Sequence, residues 1–182
     1  MWPWGHLAVG YLGYVVWSTA RKERQQPLAV IAAIIGSQFP DLIDKPLAWT
    51  VPLLPSGRSL AHSLFTATLV VTSLYYAAKR FNRKNAAAAF GIGYGTHIIG
   101  DLGPRVIIGL LEGDLTQLKW TTYLFWPLLP APPYANDASF TNHLTAISLD
   151  SYVLAQLGLA LAAAIVWFRS GKPGLGFLQQ RY

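Results

Sequence analysis

Long apolar runs, most of them followed by a short basic group, constrain this chain more than any other feature. The clearest run is 60–78, nineteen residues without a formal charge, and similar runs cover 5–20, 27–40, 86–111 and 151–168. A helix needs about 20 apolar residues to cross a bilayer core about 30 Å thick. The runs therefore predict an all-α protein, a polytopic membrane helical bundle of about five spans, with residues 1–182 forming a single domain.

The same runs predict where regular structure stops. Glycines and a proline interrupt the fourth run, so its regular helix is expected to stop near Asp101. The second run is short for a span, and its helix either ends at Pro40 or continues past it. Residues 45–55 are expected to form an extracytoplasmic loop or interfacial segment. Residues 112–148 are expected to form a long extracytoplasmic loop, long enough to fold over a site.

Basic residues predict the orientation of the bundle in a membrane. Ten of the fourteen Lys and Arg residues follow the first, third and fifth runs, and such residues favour the cytoplasmic side. This places the amino terminus outside and the carboxyl terminus inside, in a multi-pass protein of the plasma (inner) membrane. Membrane lipids are the expected partners. Basic groups that flank apolar runs indicate a membrane surface, so no nucleic-acid partner is expected.

Histidines and carboxylates gather at one side of this predicted bundle. His97 and Asp101 are four residues apart, which puts both side chains on one face of a helix. The chain has only four histidines and eight carboxylates, and three further clusters contribute one or two such residues each. With the orientation above, all six candidates lie at outer helix ends: His6, Asp41, Asp44, His62, His97 and Asp101.

These residue types predict a divalent metal site. The chain has no cysteine, so a metal must bind through imidazole and carboxylate, which favours Zn, with Mn, Fe or Mg as alternatives. One or two ions are expected, because Asp41 and Asp44 can ligate one ion together or bridge two. A bound metal activates water without a serine or cysteine nucleophile, which predicts hydrolysis. Arg58 and Asp44 are the catalytic candidates, and the guanidinium of Arg58 suits an anionic substrate.

Other interpretations of these residues stay open. His6 can be an interfacial histidine, and Asp41 and Asp44 can end a helix or pair with Lys45 or Arg58. His143 can be an extra ligand or part of the start of the next helix. The alternatives to a hydrolase are an ion-binding or transport protein and a structural bundle held together by its polar cluster.

Four motifs occur in order within about 2–101: G-H-L-x-x-G, Q-F-P-D-L-x-D, G-R-S-x-x-H-S and G-Y-x-x-H-x-x-x-D. This order resembles the YdjM-like family, described as LexA-regulated, inner-membrane-associated, metal-dependent hydrolases. The resemblance implies that the six candidates occupy the family's characteristic positions, with Arg58 nearby. The chain departs from the family pattern at Gly57, where a histidine commonly precedes the arginine. A site at headgroup level suggests a lipid or lipid-linked substrate, cleaved at a phosphoester or other ester bond.

Overall fold

The fold consists of helices joined by irregular segments. The computed structural model describes residues 1–134, 139–145 and 147–175, and the side chain of His143 lies outside this description. No β-strand occurs in the described residues, which confirms the all-α fold class. Within them lie the helices α1 (Pro3–Ala20), α2 (Pro27–Trp49), α3 (Leu64–Arg80), α4 (Lys84–Leu111), α5 (Phe140–Thr145) and α6 (Ser151–Arg169).

Helix α2 is longer than its apolar run, because it continues through Pro40 and Pro46 to Trp49. The expectation of an extracytoplasmic loop or interfacial segment beginning at residue 45 was therefore wrong at its start. A proline inside a helix removes one hydrogen bond and bends the axis, yet here the helix persists on both sides. As a result Asp41, Asp44 and Lys45 share one helical surface, at spacings of three and four residues.

Helix α3 begins later than predicted, at Leu64 rather than at residue 60. The Ser63 hydroxyl caps it by accepting a hydrogen bond from the Phe65 amide at 3.2 Å, and the same hydroxyl donates to the Trp126 carbonyl at 2.7 Å. Arg58 and His62 consequently lie on an irregular segment between α2 and α3, not on a helix.

Helix α4 has a break at Gly103, close to the stop expected near Asp101. Gly103 has φ 74° and ψ 158°, a conformation that glycine tolerates far better than other residues. The break agrees with the expectation that the regular helix stops near Asp101, and a second helical stretch after it reaches Leu111. The break lies two residues after Asp101, so Asp101 is held by the regular part of the helix.

The predicted loop 112–148 contains regular structure of its own. Two short 3-10 helices, Leu115–Trp120 and Thr122–Phe125, precede α5. This connection contacts the site region, because the Tyr123 hydroxyl donates to the Ile98 carbonyl at 3.2 Å. The expected long loop is therefore not confirmed as a single continuous loop, and its folding over the site stays a prediction.

Helices α2 and α4 pack so closely that glycine is required at their crossing. A Cβ atom on Gly36 would lie 2.2 Å from the Phe90 carbonyl oxygen, and one on Gly93 would lie 2.1 Å from the Ala33 carbonyl oxygen. Both distances are below van der Waals contact, so a larger residue would force the helices apart. Small residues at such crossings are typical of helix packing in membranes.

Helices α3 and α6 leave much apolar surface exposed. No residue of α3 is buried, and on α6 exposed leucines such as Leu154 and Leu161 contrast with buried Gln156. By length and hydropathy, two of the described helices, α2 and α6, could cross a membrane. The expected five spans are not confirmed by this criterion.

The loops that carry the basic groups meet at one end of the bundle. The Gln25 side-chain amide donates to the Ser170 hydroxyl at 3.0 Å, and the Asn85 amide donates to the Glu23 carboxylate at 3.0 Å. These contacts join the end of α1, the start of α4 and the end of α6. The histidines and aspartates of the motifs lie at the other end.

Candidate metal centre

Four of the six predicted metal ligands converge inside the bundle. Asp41, His62, His97 and Asp101 are all buried, and one potential ligand atom from each lies within 4.8 Å of the other three. They come from α2, from the segment before α3, and from α4. The structure therefore brings together residues separated by up to 60 positions in the chain.

The two imidazoles face each other through their Nε2 atoms, which lie 3.1 Å apart. The Nδ1 atom of His97 is 2.6 Å from the Ser37 carbonyl oxygen, and the Nδ1 atom of His62 is 2.8 Å from Asp44 Oδ2. A carbonyl oxygen only accepts, so His97 carries its proton on Nδ1 and donates it there. His62 likewise donates from Nδ1 to the Asp44 carboxylate. The Nε2 atoms of both rings are then unprotonated and face one point, as in histidines that bind metal.

Two carboxylate oxygens complete the group. Asp41 Oδ1 lies 3.6 Å from His62 Nε2 and 3.7 Å from His97 Nε2, and it has no hydrogen-bond partner although it is buried. Asp101 Oδ2 lies 3.3 Å and 3.8 Å from the same two nitrogens. Buried polar atoms almost always have partners, so this set of converging acceptors calls for a positive charge between them.

The spacing of these atoms fits a four-coordinate ion. Bonds of about 2.0–2.1 Å to nitrogen and oxygen give a tetrahedron whose edges are about 3.3–3.4 Å. The distances above are five of the six edges of such a tetrahedron, and they run from 3.1 to 3.8 Å and bracket that value. The donor set of two imidazoles and two carboxylates therefore has both the chemistry and the size for a divalent metal.

Carboxylates lie close to both nitrogens of the His62 ring. Asp44 Oδ2 lies 2.8 Å from Nδ1, and Asp101 Oδ2 and Asp41 Oδ1 lie 3.3 Å and 3.6 Å from Nε2. The surrounding carboxylates thus attract a cation to this ring.

Two cationic side chains flank the centre. Lys45 Nζ lies 2.6 Å from Asp41 Oδ2 and 5.4 Å from the centre of the Trp49 ring. Arg58 Nε lies 2.6 Å from Asp101 Oδ2. Burial lowers the pKa of Arg58, but the neighbouring Asp101 carboxylate outweighs it and raises that pKa further, so the guanidinium stays charged.

Asp44, predicted as both ligand and catalytic residue, lies outside the four-residue group and behind His62. Its carboxylate is fully buried and accepts from the backbone amides of Ser59 and Ala61, each at 2.8 Å, and from the His62 amide at 3.3 Å. Together with the bond to the imidazole, these contacts occupy both carboxylate oxygens. Asp44 thereby shapes the irregular segment and orients the His62 ring.

His6 is buried beside the centre but is not one of the four. Its ring stacks on His97 with centroids 3.7 Å apart, and its Nε2 is 3.0 Å from Asp101 Oδ1. This contact has the distance of an ion pair, and neither ring nitrogen of His6 has a hydrogen-bond partner. The amino group of Met1 contacts the same carboxylate oxygen at 2.6 Å.

Several supporting groups are not evident in the motifs. The motifs suggest Lys45 only as an alternative partner of the aspartates. Its position four residues after Asp41 could have predicted the ion pair on a helix. The Ser37 carbonyl leaves no trace in a side-chain pattern. The Tyr94 hydroxyl donates to the Ala61 carbonyl at 2.5 Å and so supports the segment that carries His62. The side chain of His143, an alternative extra ligand, lies outside the described residues.

Comparison with known proteins agrees with the motif order. A model of the family described as YdjM inner membrane protein matches residues 1–176, well beyond the 2–101 over which the motifs show a resemblance. No curated protein and no solved structure gave a match. A match over nearly the whole length confirms the resemblance, and the chain belongs to the YdjM inner membrane protein family.

Proposed function

We propose that this protein is a membrane-bound, metal-dependent hydrolase that cleaves a phosphoester or other ester bond. One observation carries the proposal: two imidazole nitrogens and two carboxylate oxygens face one buried point, and the Asp41 oxygen has no partner there. Two imidazoles with two carboxylates at near-tetrahedral spacing favour Zn over Mn, Fe or Mg. Asp41, His62, His97 and Asp101 would hold the ion.

The chain's own residues have distinct roles in this proposal. A bound divalent ion would supply Lewis-acid activation of the scissile group and of water. Asp44 and the Ser37 carbonyl hold the two imidazoles in the required tautomer. Arg58, fixed by Asp101, is placed to bind an anionic group of the substrate.

His6 remains a predicted ligand under the same proposal. Its unpartnered Nε2 and Asp101 Oδ1 lie 3.0 Å apart, and they are the groups that a second ion would use. The Met1 amino group, a cation, contacts that oxygen, which supports this side of Asp101 as a place for positive charge.

A multi-pass arrangement in the inner membrane accompanies the activity. The basic groups lie together at one end of the bundle, which we propose faces the cytoplasm, with the amino terminus outside. Thirteen residues separate His97 from Lys84 on α4, a rise of about 20 Å. With a hydrocarbon core about 30 Å thick, the centre would lie toward the outer boundary. A lipid or lipid-linked substrate suits that depth.

Metal analysis of the purified full-length protein, combined with turnover, tests the proposal. We expect a stoichiometric divalent metal and hydrolysis of a p-nitrophenyl phosphate ester or p-nitrophenyl acetate. Asp101→Asn should remove most of the metal and the activity, whereas Asp114→Asn, on an exposed carboxylate, should change neither. Metal without turnover of any ester would favour an ion-binding or structural role. Activity that persists in metal-free protein would contradict the proposal.

A further inference from the structure

We infer that Lys45 and Arg58 form a two-sided cationic clamp for a phosphate group, so that the substrate is an anionic phosphoester and not a neutral ester. The inference rests on the proposed function, because the clamp has this role only beside a metal. It adds Lys45 to the substrate-binding residues and selects the phosphoester over the other ester bonds that the proposed function left open.

The two cations contact two different carboxylates of the proposed centre. Lys45 Nζ contacts Asp41 Oδ2 and Arg58 Nε contacts Asp101 Oδ2, each at 2.6 Å. On Asp41 the other oxygen, Oδ1, lies near the imidazoles, whereas on Asp101 the imidazoles lie near the same oxygen that Arg58 contacts. The Lys45 and Arg58 side chains are 12% and 22% exposed, so both are largely withdrawn from water and still reachable.

Aromatic rings hold both cations in place. The Lys45 ammonium lies over the Trp49 ring, and the Arg58 guanidinium lies 4.5 Å from the centre of the Tyr134 ring. Trp49 is in turn packed against Phe140, with ring centres 4.9 Å apart. Tyr134 and Phe140 both belong to the connection after α4, so one segment supports both sides of the clamp.

Charge counting points to an anionic substrate. A divalent ion contributes two positive charges, and Lys45 and Arg58 contribute one each, against the three carboxylates of Asp41, Asp44 and Asp101. The loaded centre thus keeps one positive charge, before the Met1 amino group is counted. Uncompensated charge is costly at membrane depth. A phosphoester offsets it, whereas a neutral carboxylic ester does not.

The bonding geometry suits a phosphate. A lysine ammonium has three donors, and its single bond to Asp41 leaves capacity for a phosphate oxygen. Arginine binds phosphate through parallel N–H donors, and its Nε bond to Asp101 fixes the plane of that fork. The two cationic groups together can bind the oxygens of the phosphate that take no part in bond cleavage.

Titration of the metal-loaded, full-length protein in detergent with inorganic phosphate tests the clamp. We expect Lys45→Met to weaken phosphate binding roughly tenfold to hundredfold, the range for one charge-assisted hydrogen bond, with metal content unchanged. Lys45→Arg should keep most of the affinity. Lys119→Met is a matched control, because the Lys119 ammonium also lies 5.4 Å from a tryptophan ring centre, that of Trp120.

The outcomes separate the clamp from the proposed function. Unchanged phosphate affinity in a metal-loaded Lys45→Met protein would overturn the clamp and leave the metal centre intact. Loss of metal in that variant, with normal phosphate affinity once metal is restored, would make Lys45 a partner of Asp41 only, and would also overturn it. A wild-type protein that binds no metal would instead refute the proposed function itself.

Discussion

The Nε2 atoms of His62 and His97 lie 3.1 Å apart, while the opposite nitrogen of each ring is engaged by Asp44 or by the Ser37 carbonyl. Two lone pairs at this distance repel unless a proton or a metal ion lies between them. The carboxylates of Asp41 and Asp101 on either side increase that demand. Because the rings are held from behind, the arrangement is set by the fold before any ion binds.

Replacing Asp44 tests whether this support matters. In Asp44→Asn one oxygen becomes an NH₂ group, which cannot accept from the amides of Ser59 and Ala61 and the His62 ring together. We expect metal affinity to fall about 10- to 100-fold, as for other residues that orient metal ligands. Metal titration monitored by calorimetry measures the change. An Asp150→Asn control should bind like wild type, and equal affinity in both variants would contradict the role given to Asp44.

Two glycines on α4 offer a matched test of helix packing. Gly93→Ala would put its Cβ 2.1 Å from the Ala33 carbonyl oxygen, whereas Gly95→Ala would meet nothing within 4 Å. We expect Gly93→Ala to lower the free energy of unfolding by about 1–3 kcal/mol and to weaken metal binding, since the His97 bond to Ser37 spans the same crossing. Gly95→Ala should be neutral or slightly stabilising. Thermal unfolding in detergent compares them, and equal stability of the two variants would refute the close crossing.

The sequence predicts the helical class, the family and six candidate ligands, among them the four that converge, because each depends on local pattern. Apolar runs identify α1 to α4 and α6, and the motif order identifies Asp41, His62, His97 and Asp101. Their meeting point depends on how α2 crosses α4. Glycines at 36 and 93 permit this crossing, but their presence in the sequence does not predict it.

The role of each residue in the site is harder to predict from the sequence than which residues form the site. Asp41 and Asp44 look equivalent in the motif. Asp44 faces the backbone of the 59–62 segment because of the path that the chain takes after α2, which the motif does not predict. The end of α2 was not predicted, since continuation past Pro40 was only one of two alternatives and Pro46 is also accommodated within the helix. The backbone carbonyl of Ser37, which accepts from the His97 ring, cannot be predicted from any side-chain pattern.

The absence of cysteine from the chain makes the orientation directly testable. Single cysteines replace exposed residues, Lys22 or Asn82 at the basic end and Leu53 at the opposite end. In cells whose outer membrane has been made permeable, an impermeant maleimide should label Leu53→Cys. Lys22→Cys and Asn82→Cys should react only after the inner membrane is disrupted. Labelling of Lys22→Cys or Asn82→Cys before disruption would contradict the proposed orientation.

X-ray absorption spectroscopy of the purified, metal-loaded protein tests the central claim most directly. We predict one principal divalent metal with four nitrogen or oxygen neighbours at about 2.0–2.2 Å and the outer-shell scattering of two imidazoles. His97→Gln should remove one imidazole contribution or the metal altogether. A spectrum without imidazole scattering, or a wild-type protein that holds no metal under metal-replete conditions, would contradict the account.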